Sequence, residues 1–429
     1  MFGFANFLLL ALFAAAVFDL IFALARGGGL RGALHGLWNT PHLLFGQQLA
    51  EWRLQLGRIL FAAGLAAYEI SVVFCNSMAR QNWAWVQGMM SPVLEWLAFL
   101  CFGAKILFGT RYTWRELLAS GALYFIARWV YFNSQNIWWI GIVVAVLAAK
   151  DVPLRRPLQV YFASGCAAMA VVLALHFAGI VAPDLTSERM GALRGTYGYG
   201  HPNTFGGLVF GLVLAYALLR AQKVRWVDCL LVFAVGVFLL VGPASRSAAL
   251  CTLALAVGLV FCRLRAGHSV PRWWPGTCAG MVGLTAAVSY LLPLLVIKVG
   301  PWNNDIGPAW LAKLDSLLTC RISLTWMAYR LLDVKIAGQV FNWPTVDNSF
   351  AFALFQFGPV VAALLGILFA AALLGHAKQG RRVEVCCLFA MLAYAYMEVQ
   401  PFHLTTNPTA LLLCGAVFAQ TSARWQKIE

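Results

Sequence analysis

The chain has 429 residues, of which 62% are hydrophobic and only 11% charged, and its mean hydropathy is +0.77. This composition excludes a soluble globular protein and predicts an all-α, polytopic integral membrane protein that forms one domain, residues 1–429, in a lipid bilayer. The net charge of +15 does not indicate a nucleic-acid partner, because the basic residues are scattered between apolar runs. The 11 cysteines show no metal-ligand spacing and no disulfide framework, so no metal site is expected.

Apolar runs bounded by charged residues predict about thirteen membrane-spanning helices, each near the ~20 residues that a bilayer requires. The fourth and fifth runs lie so close together that the number could differ by one. In chain order the predicted spans are residues 4–25, 59–79, 84–104, 116–132, 134–149, 158–182, 203–219, 227–242, 247–262, 276–298, 349–374, 384–400 and 408–422.

Every second connection between the predicted spans is basic, and this alternation predicts the orientation of the chain in the membrane. Basic connections face the cytoplasm, which places the N-terminus outside and the C-terminus inside. This orientation puts 21 of the 31 lysines and arginines on the cytoplasmic side, and no connection contradicts it. These inside residues are Arg26, Arg31, Arg53, Arg58, Lys105, Arg111, Arg115, Lys150, Arg155, Arg156, Arg220, Lys223, Arg225, Arg263, Arg265, Arg272, Lys378, Arg381, Arg382, Arg424 and Lys427.

The polar motifs that interrupt the apolar pattern fall on the outer side. Residues 194–203 combine three glycines and a proline with an arginine, a histidine and an asparagine, directly before a span. Such polar backbone at membrane depth is tolerated only where protein or a water-filled cavity satisfies it. Residues 242–247 form a short turn around Arg246. The longest outer connection is 300–348, and the amphipathic spacing of residues 309–332 predicts a helix along the membrane surface.

Arginines in three of these segments indicate an anionic ligand. Arg194, Arg246 and Arg321 come from separate parts of the chain. Several partly dehydrated guanidinium groups suit phosphate or diphosphate, whose oxygens they can bind in pairs. Each arginine could instead extend along the membrane surface to lipid headgroups.

The same outer segments contain candidates for a general base. His201 and His403 titrate near neutral pH, although a single histidine is more often a structural hydrogen-bonding group. Asp347 ends the long connection and Glu398 opens the last outer segment, residues 398–408. Either carboxylate could accept a proton or could pair with an arginine. No motif indicates a hydrolase nucleophile or a nucleotide-binding loop.

Short motifs occur in order between residues 185 and 415. They are Gly-His-Pro-Asn at 200–203, Ser-Arg-Ser at 245–247, an arginine-led helix at 320–326, and Asp-Asn-Ser-Phe at 347–350 followed by Phe-Gly at 357–358. Together with residues 398–408, they resemble segments of bacterial polysaccharide repeat-unit polymerases in the O-antigen polymerase and O-antigen ligase superfamily. The first five or six spans contribute only hydropathy to this resemblance.

The resemblance implies an inverting, metal-independent glycosyltransferase without a cofactor, at the outer face of the bacterial plasma membrane. It implies polyprenyl-diphosphate-linked oligosaccharides as donor and acceptor, with a flippase and a chain-length regulator as candidate partners. The arginines would hold the diphosphate and stabilise its charge as the sugar leaves. The residues expected to bind substrate are Arg194, Tyr199, Asn203, Arg246, Arg321, Asn348 and Glu398.

One position departs from the family pattern. Asp347 stands where the ligase pattern has a histidine proposed to activate the acceptor hydroxyl. A carboxylate whose pKa is raised by burial can take that proton. The alternative is that Asp347 orients an arginine and that His201 or His403 is the base.

Two other functions remain open at this point. A ligase that moves a finished glycan onto lipid, wall or protein shares the donor and differs only in the acceptor. A flippase for the same lipid-linked sugar belongs to another class. Transporters tend to have internal repeats and midplane binding groups, whereas this sequence has no repeat and its polar motifs gather at one face.

Overall fold

The computed structural model describes residues 2–25, 29–45, 51–181, 187–189, 192–297 and 306–418. These residues are mainly helical, as the composition predicts. In chain order the α-helices are α1 (Phe2–Ala25), α2 (Gly29–Asn39), α3 (Glu51–Cys75), α4 (Ala79–Asn82), α5 (Ser91–Phe108), α6 (Trp114–Ser134), α7 (Ile137–Ala148), α8 (Arg155–Phe177), α9 (Pro202–Leu219), α10 (Trp226–Val241), α11 (Arg246–Leu264), α12 (Trp274–Leu291), α13 (Ala309–Leu317), α14 (Arg321–Leu331), α15 (Ser349–Phe352), α16 (Pro359–Lys378), α17 (Arg382–Met397) and α18 (Cys414–Val417).

Short elements join and extend these helices. Two short antiparallel strand pairs join β1 (His42–Leu43) with β2 (Arg111–Tyr112), and β3 (Ser187–Arg189) with β4 (Ala192–Arg194). The π-helical and 3-10 segments are Val86–Met90, Leu292–Leu295, Ala353–Phe357, Gln400–Phe402 and Pro408–Leu413.

Eight helical segments are long and apolar enough to cross a membrane, and each overlaps one of the predicted spans. They are Gly3–Ala25, Glu51–Cys75, Val86–Phe108, Arg155–Phe177, Pro202–Leu219, Arg246–Leu264, Trp274–Leu295 and Pro359–Lys378. A helical membrane protein is therefore supported by the structure, although the predicted number of thirteen is not reached by this criterion.

The other five predicted spans coincide with helices that are shorter or more polar. Residues 408–418 form a 3-10 segment followed by the single turn α18, and residues 408–414 are buried. Helix α7 has 12 residues, ten of them buried. At ~1.5 Å per residue neither segment covers a ~30 Å hydrocarbon layer. Residues 419–422, which end the last predicted span, lie outside the described residues.

Helix α9 lies at the centre of the bundle. Of its 18 residues 72% are buried inside the protein, compared with 22% for the best apolar window of α1. It contacts α8, α10, α11, α17 and the 3-10 segment Pro408–Leu413. His201 caps its N-terminus through Nδ1, which accepts from the Asn203 N–H at 3.1 Å, and Pro202 takes the first helical position, where no amide hydrogen is needed.

The helix predicted over residues 309–332 is instead two helices, α13 and α14. The chain turns at Thr319 and Cys320, which both have positive φ angles (56° and 65°). Asp315 stabilises the new N-terminus, because its Oδ1 accepts from the amide of Ile322 at 2.8 Å and from that of Ser323 at 3.2 Å. The prediction of one continuous surface helix was wrong for this reason. Residues 300–305 of the predicted outer connection lie outside the described residues.

The predicted span 349–374 is interrupted at Gly358. This glycine has φ 89° and ψ 165°, a combination that essentially only glycine adopts, and it separates the π-helical segment Ala353–Phe357 from α16. A Cβ at Gly358 would overlap the carbonyl oxygen of Ile336. The close approach of the Ile336 carbonyl therefore explains why a glycine stands at this break.

Substituting alanine for Gly358 should lower the stability of the purified protein by about 1–3 kcal/mol, because it combines a disallowed φ with a backbone clash. Gly375→Ala is the matched control, since Gly375 lies in α16 and a Cβ there meets open space. Thermal unfolding in detergent measures both. Equal melting temperatures for Gly358→Ala and the wild type would contradict the described break.

Candidate functional site

Five helix ends meet around one buried carboxylate, that of Glu398. Helices α9, α11, α14 and α15 begin here, and α17 ends one residue before Glu398. The Glu398 side chain is 5% exposed. Its Oε1 accepts hydrogen bonds from Arg321 Nη2 at 2.6 Å, Ser247 Oγ at 2.8 Å and Asn203 Nδ2 at 3.0 Å. Its backbone carbonyl accepts from Ser349 Oγ at 2.6 Å. One residue thus ties the starts of four helices together.

Arg321 is the cation of this cluster and is only 8% exposed. Beyond Glu398, its Nη2 donates to Ser247 Oγ at 3.3 Å, and its Nη1 donates to the Leu318 carbonyl at 2.9 Å. Further bonds go from Nη1 to Thr319 Oγ1 and from Nε to the Met397 carbonyl. All three guanidinium nitrogens are therefore used inside the protein, and Arg321 contributes a fixed positive charge.

Arg194 joins the cluster through Asn203. Its Nη2 donates to Asn203 Oδ1 at 2.9 Å and to the Ala244 carbonyl at 3.2 Å. The amide of Asn203 accepts from Arg194 on one side and donates to Glu398 on the other, so the two predicted arginines are connected by two side chains. We call Arg194, Asn203, Ser247, Arg321 and Glu398 the Glu398 cluster.

Asp347 lies half-buried near this cluster. Its carboxylate makes no hydrogen bond or ion pair with any other residue in the described ranges. Partial burial raises the pKa of Asp347, although the charge of Arg321, and that of His201 in its protonated form, act against the shift. Asp347 therefore has electrostatic contact with the cluster and a carboxylate without a hydrogen-bond partner among the described residues, which makes it a candidate proton acceptor.

His201 caps the N-terminus of α9, and its surroundings favour the neutral imidazole. Partial burial and the charge of Arg194 lower its pKa, and Asp347 opposes this effect. Because Nδ1 accepts from the Asn203 amide, the neutral imidazole must carry its proton on Nε2. In this tautomer the remaining ring nitrogen is a donor. The geometry therefore favours Asp347 over His201 as a proton acceptor.

His403 takes no part in the hydrogen bonds around Glu398. Its ring lies against Trp138 of α7, with the ring centroids 3.7 Å apart. Burial lowers the pKa of His403 to about 3, so the imidazole is neutral at physiological pH. Its surroundings are those of a packed aromatic residue.

The remaining predicted residues have different local roles. Tyr199 is fully buried, with its ring centroid 5.6 Å from that of Phe205, and so packs in the core. Asn348 caps α15, because its Oδ1 accepts from the amides of Phe350 at 2.9 Å and Ala351 at 3.1 Å. Arg246 is exposed at the first position of α11, beside Ser247.

Sequence reasoning assigned no role to Ser247 or Gln400, although both lie within the motifs that it singled out. Gln400 Nε2 donates to the Asn203 carbonyl at 3.2 Å, and its Oε1 accepts from Tyr394 Oη at 2.8 Å. A Cβ on Gly207 would overlap Gln400 Oε1, which explains a glycine at that position of α9. The available signal was the position of Ser247 and Gln400 at helix boundaries, close in sequence to Arg246 and Glu398.

An apolar cavity of about 90 Å³ lies directly beside the Glu398 cluster. Ser349 connects the two, because it lines the cavity and donates to the Glu398 carbonyl. Other walls come from α7, α12, α16 and α17, and they include Tyr290, Phe350, Phe369, Leu392 and Phe402. The charged cluster thus has an apolar surface next to it, an arrangement suited to an amphiphilic ligand.

Comparisons with known proteins leave the resemblance resting on the motifs alone. No protein-family model, curated protein or solved structure matches the chain. Among the described residues, no group of three or more histidine, cysteine, aspartate or glutamate side chains is placed to hold a metal ion. The geometry of the site therefore carries the functional argument.

Removing either charge of the Arg321–Glu398 pair should destabilise the protein strongly. Arg321→Gln and Glu398→Gln each leave one buried charge without its partner, which costs about 3–5 kcal/mol. The double variant should lose clearly less than the sum, because neither charge is then present. Chemical denaturation of the detergent-purified protein measures the three variants.

The matched control for this cycle is Arg330→Gln. Arg330 lies in the same helix, α14, but is exposed over the ring of Trp326, so its loss should change stability little. Strictly additive losses for the two cluster variants would show that the pair is not coupled as described.

Proposed function

We propose that the protein is a membrane glycosyltransferase that polymerises polyprenyl-diphosphate-linked oligosaccharide repeat units into a surface polysaccharide. The observation that supports this most is the meeting of a cationic cluster, an unshared carboxylate and an apolar cavity at Ser349. A lipid-linked sugar diphosphate has three matching parts: an anionic group, a hydroxyl-bearing sugar and a hydrocarbon chain.

The three arginines stabilise the bound diphosphate in two different ways. Arg194 and Arg321 are buried and hydrogen-bonded to protein, so they stabilise negative charge through a fixed local field. Arg246 is exposed and extends from the same helix start as Ser247, so it makes the direct contact. The apolar walls at Tyr290 and Phe350 accept the first part of the lipid chain.

Asp347 acts as the general base in a single displacement. Its carboxylate removes the proton from the acceptor hydroxyl, and that oxygen attacks the anomeric carbon of the donor sugar. The bond between this carbon and the diphosphate oxygen breaks, and polyprenyl diphosphate leaves with the electron pair. Attack from the side opposite the leaving group inverts the anomeric configuration. The Nε2–H group of His201 is a hydrogen-bond donor beside this site.

The site faces the outer side of a bacterial plasma membrane in this proposal. Helices α9 and α11 begin at the cluster and end near Arg220 and Arg263, and α17 runs in the opposite direction from Arg382. Under the positive-inside rule the arginine-bearing ends are cytoplasmic, and the Glu398 cluster is then outside. A ligase would use the same donor site with a different acceptor.

Asp347→Asn should reduce chain elongation by about 10²-fold or more, the contribution of a general base, whereas His201→Ala should reduce it by less than about tenfold. The assay incubates purified protein with a polyprenyl-diphosphate repeat unit, without ATP or added metal, and separates products by length. Wild-type activity should fall as pH decreases through the raised pKa of Asp347, because the protonated carboxyl cannot accept a proton. The residual activity of Asp347→Asn should lack this dependence.

The opposite order of losses would transfer the role of base to His201. Protein that moves a labelled lipid-linked sugar across vesicle membranes without lengthening it would contradict the proposed function and support a flippase.

A further inference from the structure

A second pocket, of about 550 Å³, lies at the other ends of the helices that build the Glu398 cluster. It is bounded by the last residues of α9 and α11, the first residues of α8 and α17, and the connections between them. Each of these helices is 16 to 23 residues long, so the pocket and the cluster are separated by roughly 25 Å of helix at ~1.5 Å per residue. The two sites are therefore distinct.

The lining of this pocket carries a large excess of positive charge. Among its described residues it has five cationic side chains and one carboxylate, that of Glu384, which gives a formal charge of +4. The cationic residues are Arg155, Lys223, Arg263, Arg381 and Arg382. A concave surface of one sign focuses its field on the enclosed space, so an anion is attracted there more strongly than to a flat surface.

Among the described residues, Glu384 is the only acid that lines the pocket. Asp228, at the start of α10, already binds Arg220 Nε at 3.1 Å and accepts from Tyr216 Oη at 2.5 Å and the Arg225 amide at 2.7 Å. Arg382 is held by main-chain carbonyls, including that of Arg265 at 2.7 Å, and these orient its charge without neutralising it. Asp228 is thus committed to Arg220 and the start of α10, and the cations that line the pocket outnumber the described carboxylates there.

Two helix N-termini add to the same field. Helix α8 begins at Arg155 and α17 begins at Arg382, and neither has a side-chain hydrogen-bonded cap. Uncapped N-termini present backbone N–H groups and the positive end of the helix dipole, which favour phosphate oxygens. A pocket of this volume also lies within the ~300–1,000 Å³ range of small-molecule sites.

We propose that this pocket is a binding site for an anion with two phosphate groups. Two phosphate groups bring at least two negative charges to a lining of formal charge +4, and arginine forks bind their oxygens in pairs. Two phosphate groups are present both in the headgroup of a phospholipid such as cardiolipin and in a soluble diphosphate. Basic pockets between membrane helices recognise such headgroups. This inference stands independently of the glycosyl-transfer proposal.

The test uses the delipidated full-length protein and two probes, inorganic pyrophosphate and cardiolipin. Equilibrium dialysis measures pyrophosphate binding, and native mass spectrometry counts retained cardiolipin molecules. The double variant Lys223→Gln, Arg263→Gln removes two exposed cations and should weaken binding at least about tenfold. Arg263→Lys keeps the charge but loses the paired N–H donors, so it should weaken binding less than the double variant does. Size-exclusion chromatography verifies that each variant is folded.

Arg272→Gln is the matched control, because Arg272 is exposed in the connection after α11 but does not line the pocket. If the double variant weakens the binding of pyrophosphate but not of cardiolipin, the result supports a soluble ligand. If it weakens the binding of cardiolipin but not of pyrophosphate, the result supports a lipid headgroup. If it weakens the binding of both, the result supports the shared chemistry. The proposal is overturned if neither probe binds, or if the control weakens binding as much as the double variant.

Discussion

The buried ion pair between Arg321 and Glu398 is the interaction on which the site depends. Both side chains are at most 8% exposed, and removing two charges from water costs several kcal/mol for each ion. The cost is offset because Glu398 accepts two further hydrogen bonds and Arg321 donates from every guanidinium nitrogen. The same bonds connect the starts of α9, α11, α14 and α15 to the end of α17. Loss of the pair would remove the common anchor of the site.

Much of this cluster could be predicted from the sequence because polar groups at membrane depth must satisfy one another. Arg194, Asn203, Arg321 and Glu398 were all singled out as polar residues in apolar surroundings, and they are in mutual contact. Ser247 was not singled out as a contact, since serine at a helix start usually has only a local role. The division of residues 309–332 into two helices was also missed, because the capping acid Asp315 resembles any other acid in a loop.

The number of spans was less predictable, for a physical reason. Hydropathy registers an apolar environment without distinguishing lipid from the interior of the protein. The segment Pro408–Val417 and helix α7 are surrounded largely by other helices, so their apolar residues fill the core. The break at Gly358 was hidden as well, because the Ile336 carbonyl that approaches it comes from a distant loop.

The central claim is that a lipid diphosphate binds at the Glu398 cluster with its hydrocarbon chain in the adjoining apolar cavity. Photo-crosslinking tests this most directly, with a polyprenyl diphosphate that carries a diazirine on the first isoprene unit and with peptide mapping by mass spectrometry. The account predicts labelled peptides containing Ser349–Phe350 and Pro401–Phe402. Labelling confined to the opposite helix ends, residues 218–224 and 262–267, would contradict it.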